Sequence, residues 1–146
     1  MSKVLGAVCV ALLAIPAVSV ASEHTETGCD NVNFGQEVLD NFPKAKEACR
    51  EVRLKDGEPY ARFVAEIVGQ SKGNVTVKFK DRDNKDVSEM VLTPPEGAKV
   101  KVLGESVKIR DLKRGQQLNF WVEHARWGLY SEEGSPPMKV VSHKDL

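Results

Sequence analysis

Hydrophobic and polar residues alternate along most of the chain from residue 60 onward. The clearest case is VTVKFK (75–80), in which Val75, Val77 and Phe79 alternate with a threonine and two lysines, as in a strand with one buried face. The same alternation between turn-forming stretches predicts strands at 60–68, 75–80, 87–92, 99–103, 107–110 and 117–130, the last long enough to bend, with an edge strand at 138–141. Short, closely spaced strands are typical of a small antiparallel β-barrel or sandwich.

A helical period precedes these strands. Between the two cysteines at 29 and 49, apolar residues recur at roughly helical spacing: Val38, Leu39, Phe42, Ala45 and Ala48 or Cys49. Pro43 interrupts this pattern, so it predicts one kinked helix or two short helices. The predicted fold class is therefore mainly β (α+β), with an N-terminal helical segment followed by a small antiparallel β-barrel or sandwich. We expect residues 22–59 to form the helical segment and residues 60–146 the β domain, packed together as one unit.

The first 21 residues have the features of a signal peptide. A basic start is followed by an uncharged apolar stretch at 4–21, with small residues at Ser19 and Ala21, so cleavage is predicted after Ala21. Pro16 interrupts the stretch and no positively charged segment follows it, which disfavours a membrane anchor. The sequence thus predicts a periplasmic or secreted protein with no membrane span after signal cleavage.

Cleavage at this position would remove one of the three cysteines and leave Cys29 and Cys49. An even pair of cysteines in an exported chain predicts a disulfide, here one that ties the helical segment to its own leader. The alternative is a redox-active pair, but redox pairs of the thioredoxin kind have Cys-x-x-Cys spacing. A structural bridge is the favoured interpretation.

Composition and motifs exclude some functions and assign none. The chain has 21 basic and 21 acidic residues, and this balance gives no electrostatic reason to expect nucleic acid or an anionic membrane surface as a partner. No G-x-S-x-G, H-E-x-x-H or phosphate-binding glycine loop occurs. The acids at 81, 83 and 86 lack the glycine and final glutamate of a calcium loop, so they indicate a solvated hairpin tip.

One stretch resembles a known type of domain. Residues 100–122, VKVLGESVKIRDLKRGQQLNFWV, combine a short hairpin, the sequence DLKRG and an apolar strand. They resemble exported bacterial small β-barrel domains of the OB or SH3-like type. The resemblance implies that Asp111 starts a turn, that Leu112 fills the barrel interior and that Gly115 has a left-handed conformation. It implies a fold more than an activity, because such folds host unrelated functions.

The predicted mature terminus is a candidate metal site. After cleavage the chain would begin Ser22-Glu23-His24. The terminal amine, two deprotonated amide nitrogens and the imidazole would form a square-planar nitrogen set, which favours Cu(II) or Ni(II). The alternative is an exposed chain start without a metal role.

The last long strand supplies a candidate ligand face. Its residues are Trp121, His124, Arg126 and Trp127. On a regular strand the two tryptophans share one face, while Leu118, Phe120 and Val122 share the other. An exposed aromatic patch beside an arginine could stack on a sugar, a base or a peptide. Alternatively, the N-terminal helix covers this face and makes a two-layer core.

Three functions follow from these features. The leading hypothesis is an exported, non-catalytic module that binds an envelope component or a protein partner. The alternatives are binding of Cu(II) or Ni(II) through the mature terminus, and an enzyme whose site is assembled from scattered residues that no motif reveals.

Overall fold

The structure is a computed structural model that describes residues 28–132 and 136–146. The chain is mainly β with antiparallel sheets, and three short helices come first: α1 (Gly28–Asn31), α2 (Gln36–Asn41) and α3 (Ala45–Ala48). Eight strands follow: β1 (Glu51–Lys55), β2 (Glu58–Ser71), β3 (Asn74–Lys80), β4 (Asp86–Thr93), β5 (Lys99–Val102), β6 (Glu105–Lys108), β7 (Gln117–Glu123) and β8 (Lys139–Asp145). A single 3-10 turn, Ile109–Asp111, precedes β7.

The strands form one large sheet and one hairpin. The main sheet has the order β1-β2-β3-β4-β8, with β7 also paired to β2, and β5 pairs only with β6. Arg62 of β2 lies opposite both Glu51 of β1 and Trp121 of β7, so β1 and β7 occupy opposite edges of β2. Among the described residues the main sheet stays open and does not close into a barrel.

One face of the main sheet carries the hydrophobic core. Phe42, at the end of α2, lies with its ring centroid 5.1 Å from that of Phe63 and 5.2 Å from that of Phe79. The Phe79 ring in turn lies 5.8 Å from Phe120 of β7. All four side chains are fully buried. The helical segment therefore covers the face on which the alternating apolar residues of β2, β3 and β7 lie, and the two share one core.

A disulfide fastens the helical cover. Cys29 of α1 and Cys49, which follows α3, are bonded with their Cα atoms 5.8 Å apart, as the cysteine count predicts. Both cysteines are buried in the core. In the described part of the chain, no helix has the length and hydropathy needed to cross a membrane.

The chain begins to form strands earlier than the sequence predicts. β1 lies inside the range 22–59 that was expected to be helical, and it pairs with β2 along its whole length. Its alternation is hard to recognise because only Val52 is buried, whereas Leu54 is 72% exposed. A five-residue edge strand with one core residue leaves little hydrophobic pattern in the sequence.

The predicted strand at 117–130 is bent, and only its first half forms a regular strand, β7. β7 ends at Glu123, the chain bends over 124–126, and Tyr130 returns to pair with Trp121. The bend is fixed by the Gly35 N–H, which donates to the His124 carbonyl oxygen at 2.7 Å. A contact with a distant segment therefore reverses a stretch whose local pattern favours a continuous strand.

The turn before β7 agrees with its sequence features. Gly115 has φ +91°, a left-handed conformation that L residues rarely adopt, and its N–H donates to the Ile67 carbonyl oxygen at 2.9 Å. Leu112 is 6% exposed. The turn thus anchors the start of β7 against β2.

Candidate functional site

A cleft of about 830 Å³ lies on the side of the main sheet away from the helices. Its lining combines three aromatic side chains, three basic side chains and four others: Tyr60, Trp121, Tyr130, Arg53, Lys55, Lys101, Leu54, Ser131, Glu132 and Pro136. These residues come from β1, β2, β5, β7 and the segment after the bend. The cleft is therefore assembled from parts of the chain that are far apart in sequence.

Strand register places the aromatic residues. Tyr60 of β2 lies opposite Arg53 of β1 and also opposite Glu123 of β7. Trp121 and Tyr130 exchange two backbone hydrogen bonds, of 2.8 and 2.9 Å, so the returning chain is held beside β7. The Tyr60 and Tyr130 rings meet edge to face with centroids 6.3 Å apart.

Basic side chains lie over two of these rings. The guanidinium carbon of Arg53 is 4.7 Å from the centroid of Trp121, and the Lys55 Nζ is 5.8 Å from that of Tyr60. Such cation–π contacts are favourable because the ring face carries partial negative charge. Trp121 is only 9% exposed, while 47% of the Arg53 side chain remains accessible. A ligand in the cleft would therefore contact the Arg53 side chain, which covers the indole ring of Trp121.

A polar network holds the base of the cleft. The Glu51 carboxylate accepts from Arg62 at 2.9 Å and lies 3.2 Å from Arg53. Arg62 also donates to the Asn119 side-chain oxygen at 3.2 Å, and the Asn119 amide donates to Glu132 at 3.1 Å. Glu51 is largely shielded from solvent, so Arg53 is held in place by a fixed partner.

Two hydroxyl groups of the cleft have unusual surroundings. Burial raises the pKa of Tyr60, and the nearby Glu123 carboxylate raises it further. Ser131 is 4% exposed, and its Oγ has no hydrogen-bond partner among the described residues. A buried hydroxyl without a partner is costly.

The four residues of the predicted ligand face do not form one surface. Trp121 lines the cleft, whereas Trp127 is half-buried against the hydrophobic core. The His124 ring lies between the Asn33 carbonyl oxygen at 3.3 Å and the Glu58 carboxylate at 3.2 Å. The bend after β7 separates them, because it breaks the alternation that would have placed the tryptophans together.

The alternative expectation, that the N-terminal segment covers this face, holds for part of it and not for Trp121. Gly35 lies against Ala125, and Trp127 packs against the core that the helices share with the sheet. The helices pack on Phe63 and Phe79, which lie on the opposite face of the sheet. Trp121 is covered instead by Arg53 and by the backbone segment that includes Tyr130. Arg126 is exposed and does not line the cleft.

The predicted metal site at Ser22, Glu23 and His24 lies outside the described residues and stays a prediction. Within residues 28–132 and 136–146, no group of three histidine, cysteine or carboxylate side chains is placed to hold a metal ion.

Sequence reasoning missed most of the cleft. Arg53, Tyr60 and Tyr130 come from an unrecognised strand, the start of a recognised one and an unforeseen return of the chain. The one available signal was the alternation of Arg53 and Lys55 with Val52 and Leu54, which marks a strand with a basic outer face.

A scan against protein-family models and searches of curated proteins and solved structures found no match to this chain.

Proposed function

We propose that this protein is an exported, non-catalytic binding module whose cleft holds an anionic group of an envelope component or a protein partner. One observation carries the proposal: among the described residues, one concave surface joins three aromatic and three basic side chains with one acidic side chain, Glu132. This combination suits a ligand that has both a negative charge and an apolar part.

The dimensions of the cleft fit a ligand. Its volume of about 830 Å³ falls within the range of about 300–1,000 Å³ that is typical of small-molecule sites. The tyrosine and tryptophan side chains offer apolar area with polar edges, which is why these residues are enriched where proteins bind ligands. A peptide side chain or a sugar ring would make contact with such walls.

The charge of the cleft favours an anion. In the described part of the lining, Arg53, Lys55 and Lys101 outnumber Glu132, and nearly half of the Arg53 side chain is accessible. The planar guanidinium can donate two parallel hydrogen bonds to a carboxylate or a phosphate. Because Glu51 orients Arg53 in the free protein, little side-chain entropy remains to be lost on binding.

The Tyr60 hydroxyl suits a binding role. Tyr60 lines the cleft, and its neutral phenol can donate a hydrogen bond to a ligand oxygen.

Export is supported by the N-terminal stretch and by the disulfide between Cys29 and Cys49. Disulfides form and persist mainly in oxidising compartments such as the periplasm or the extracellular space. An envelope component or an exported protein would be available there as a partner.

The test uses Trp121 as a reporter in a Trp127→Phe background, which leaves one tryptophan in the chain. A panel of acidic oligopeptides and anionic oligosaccharides, each with a neutral counterpart, is titrated while indole emission is followed. We expect anionic members to bind and to shift the emission. Arg53→Glu should weaken this binding by about tenfold, equivalent to about 1.4 kcal/mol.

The matched control is Lys46→Glu, the same charge reversal on an exposed residue of α3, on the other side of the sheet. It should leave the affinity unchanged. Equal losses in the two variants, or a panel in which no anionic member binds the parent protein, would contradict the proposal.

A further inference from the structure

The hairpin of β5 and β6 ends in an unusual turn. Its two loop residues are Leu103 and Gly104, with φ of +51° and +82°. Such two-residue turns favour Asn-Gly or Asp-Gly, because both positions need a left-handed backbone. Leucine is a poor choice there, and its side chain is nevertheless 100% exposed. The chain thus keeps a strained, solvent-exposed apolar residue at the most protruding point of the hairpin.

The two faces of the hairpin differ sharply. Val100 is 1% exposed and lies opposite Val107, and together with Val102 these residues pack towards the core. The other face carries Lys99, Lys101 and Lys108, all exposed. Within the described residues, none of the three lysines forms an ion pair.

The lysines are placed where they repel one another. Lys99 lies directly opposite Lys108 in the β5–β6 register, and like charges opposite each other destabilise an antiparallel pair. Glu105 is the one acidic residue of the hairpin, and it pairs with Val102 near the tip. The local charge is therefore strongly positive in a chain that is neutral overall.

We propose that this hairpin docks on an anionic lipid surface, with Leu103 entering the interface and the lysine face over the headgroups. The left-handed leucine and the opposed lysines both lower the stability of the free protein. A lipid surface would explain why the chain carries both, because the leucine and the lysines would contact it. An anionic bilayer offers negative charge beside an apolar interior, which matches a basic face that ends in an apolar tip. The contact is peripheral, because one leucine and three lysines give reversible binding.

The hairpin is distinct from the cleft, although Lys101 borders both. Lys99 and Lys108 do not line the cleft. Variants at these two positions and at Leu103 therefore test lipid binding without altering the residues on which the proposed ligand site depends.

The experiment is co-sedimentation of the exported protein with mixed phosphatidylglycerol/phosphatidylcholine vesicles and with pure phosphatidylcholine vesicles. The N-terminus of every preparation is verified, because an uncleaved apolar stretch at 4–21 would itself bind lipid. We expect binding to the anionic vesicles only, and weaker binding as salt increases. Lys99→Gln and Lys108→Gln should each lower the partition coefficient by about fivefold.

Leu103→Asn separates docking from folding. It should lower vesicle binding by about tenfold while raising the thermal midpoint by about 2–4 °C, since asparagine suits the turn better than leucine. A residue with only a structural role would not move these two measurements in opposite directions. Lys46→Gln on α3 is the charge control and should bind as the parent protein does.

Three results would overturn the proposal. The first is equal binding to anionic and neutral vesicles, and the second is unchanged binding by the Leu103 and lysine variants. The third is no vesicle binding at all, in which case the occupant of the hairpin is not a lipid surface and an acidic protein becomes the candidate.

Discussion

Different interactions stabilise the two faces of the main sheet. On the helical side, Phe42, Phe63, Phe79 and Phe120 are fully buried and contact one another. On the opposite side, order depends on ion pairs, cation–π contacts and hydrogen bonds such as those around Arg53 and Arg62. The comparison shows that packing supplies stability on one face, while the other face keeps accessible charge and a cleft.

The strongest test of this comparison is Phe42→Ala. Its ring contacts two other phenylalanines in the core, and truncating a buried phenylalanine typically costs about 3–5 kcal/mol. Chemical denaturation measures the loss. The control is Leu54→Ala, a cleft-lining residue whose side chain is 72% exposed, with an expected change within about 0.5 kcal/mol. Similar losses in the two variants would mean that the faces do not differ as described.

The second test removes the disulfide, which belongs to the helical cover. Cys29→Ala combined with Cys49→Ala should lower the free energy of unfolding by about 3 kcal/mol, because the bridge closes a loop with a sequence separation of 20. Denaturation with and without the bridge gives the difference. Emission from Trp121 should stay as in the parent, since the bridge lies on the other face. A bridge-free protein of undiminished stability would refute the prediction.

The smallest effect concerns the polar face. Lys80 contacts Asp86 and lies 3.0 Å from Glu66, and the hydrogen bond from Lys80 holds the pKa of Asp86 below its usual 3.8. A lowered folded-state pKa means that stability is present above the usual pKa and is lost as pH falls through the folded value. Asp86→Asn should therefore show a weaker loss of stability between about pH 5 and pH 2 than the parent.

Asp83→Asn, at the exposed tip of the same hairpin, is the matched control and should follow the parent curve. Denaturation midpoints across the pH series supply the comparison. If Asp86→Asn and the parent lose stability in parallel on acidification, the ion pair between Lys80 and Asp86 does not contribute to the pH dependence of stability.

The core face was predictable from sequence, and the cleft was not. Strict alternation in VTVKFK and in YARFVAEIV identifies Phe79 and Phe63 as core residues, because burial on one face of a strand imposes a period of two. The cysteine count likewise gave the disulfide. The core residues follow from the local alternation of apolar and polar residues, and the disulfide follows from the presence of two cysteines in the predicted mature chain.

The cleft depends on long-range geometry. Tyr130 returns to Trp121 after a bend at which the Gly35 N–H donates to the His124 carbonyl oxygen, and no local pattern around residue 130 encodes these contacts. The neutral total charge likewise does not reveal that three lysines lie on one face of the β5–β6 hairpin. The local electrostatic potential depends on where the charged side chains lie, and their positions are known only once the fold is known.

The position of β2 has a consequence for how the molecule folds and opens. Arg62 and Val64 each have a paired strand on both edges, so the middle of β2 can lose its hydrogen bonds only when β7 and either β1 or β3 detach. The amides there are expected to exchange with solvent last. β3 and β4 follow β2 as a local meander, whereas β7 must return from far along the chain, a contact that slows folding because a long loop has to close. We therefore expect the pairing of β7 with β2, which completes the cleft, to form later than the β2–β4 meander.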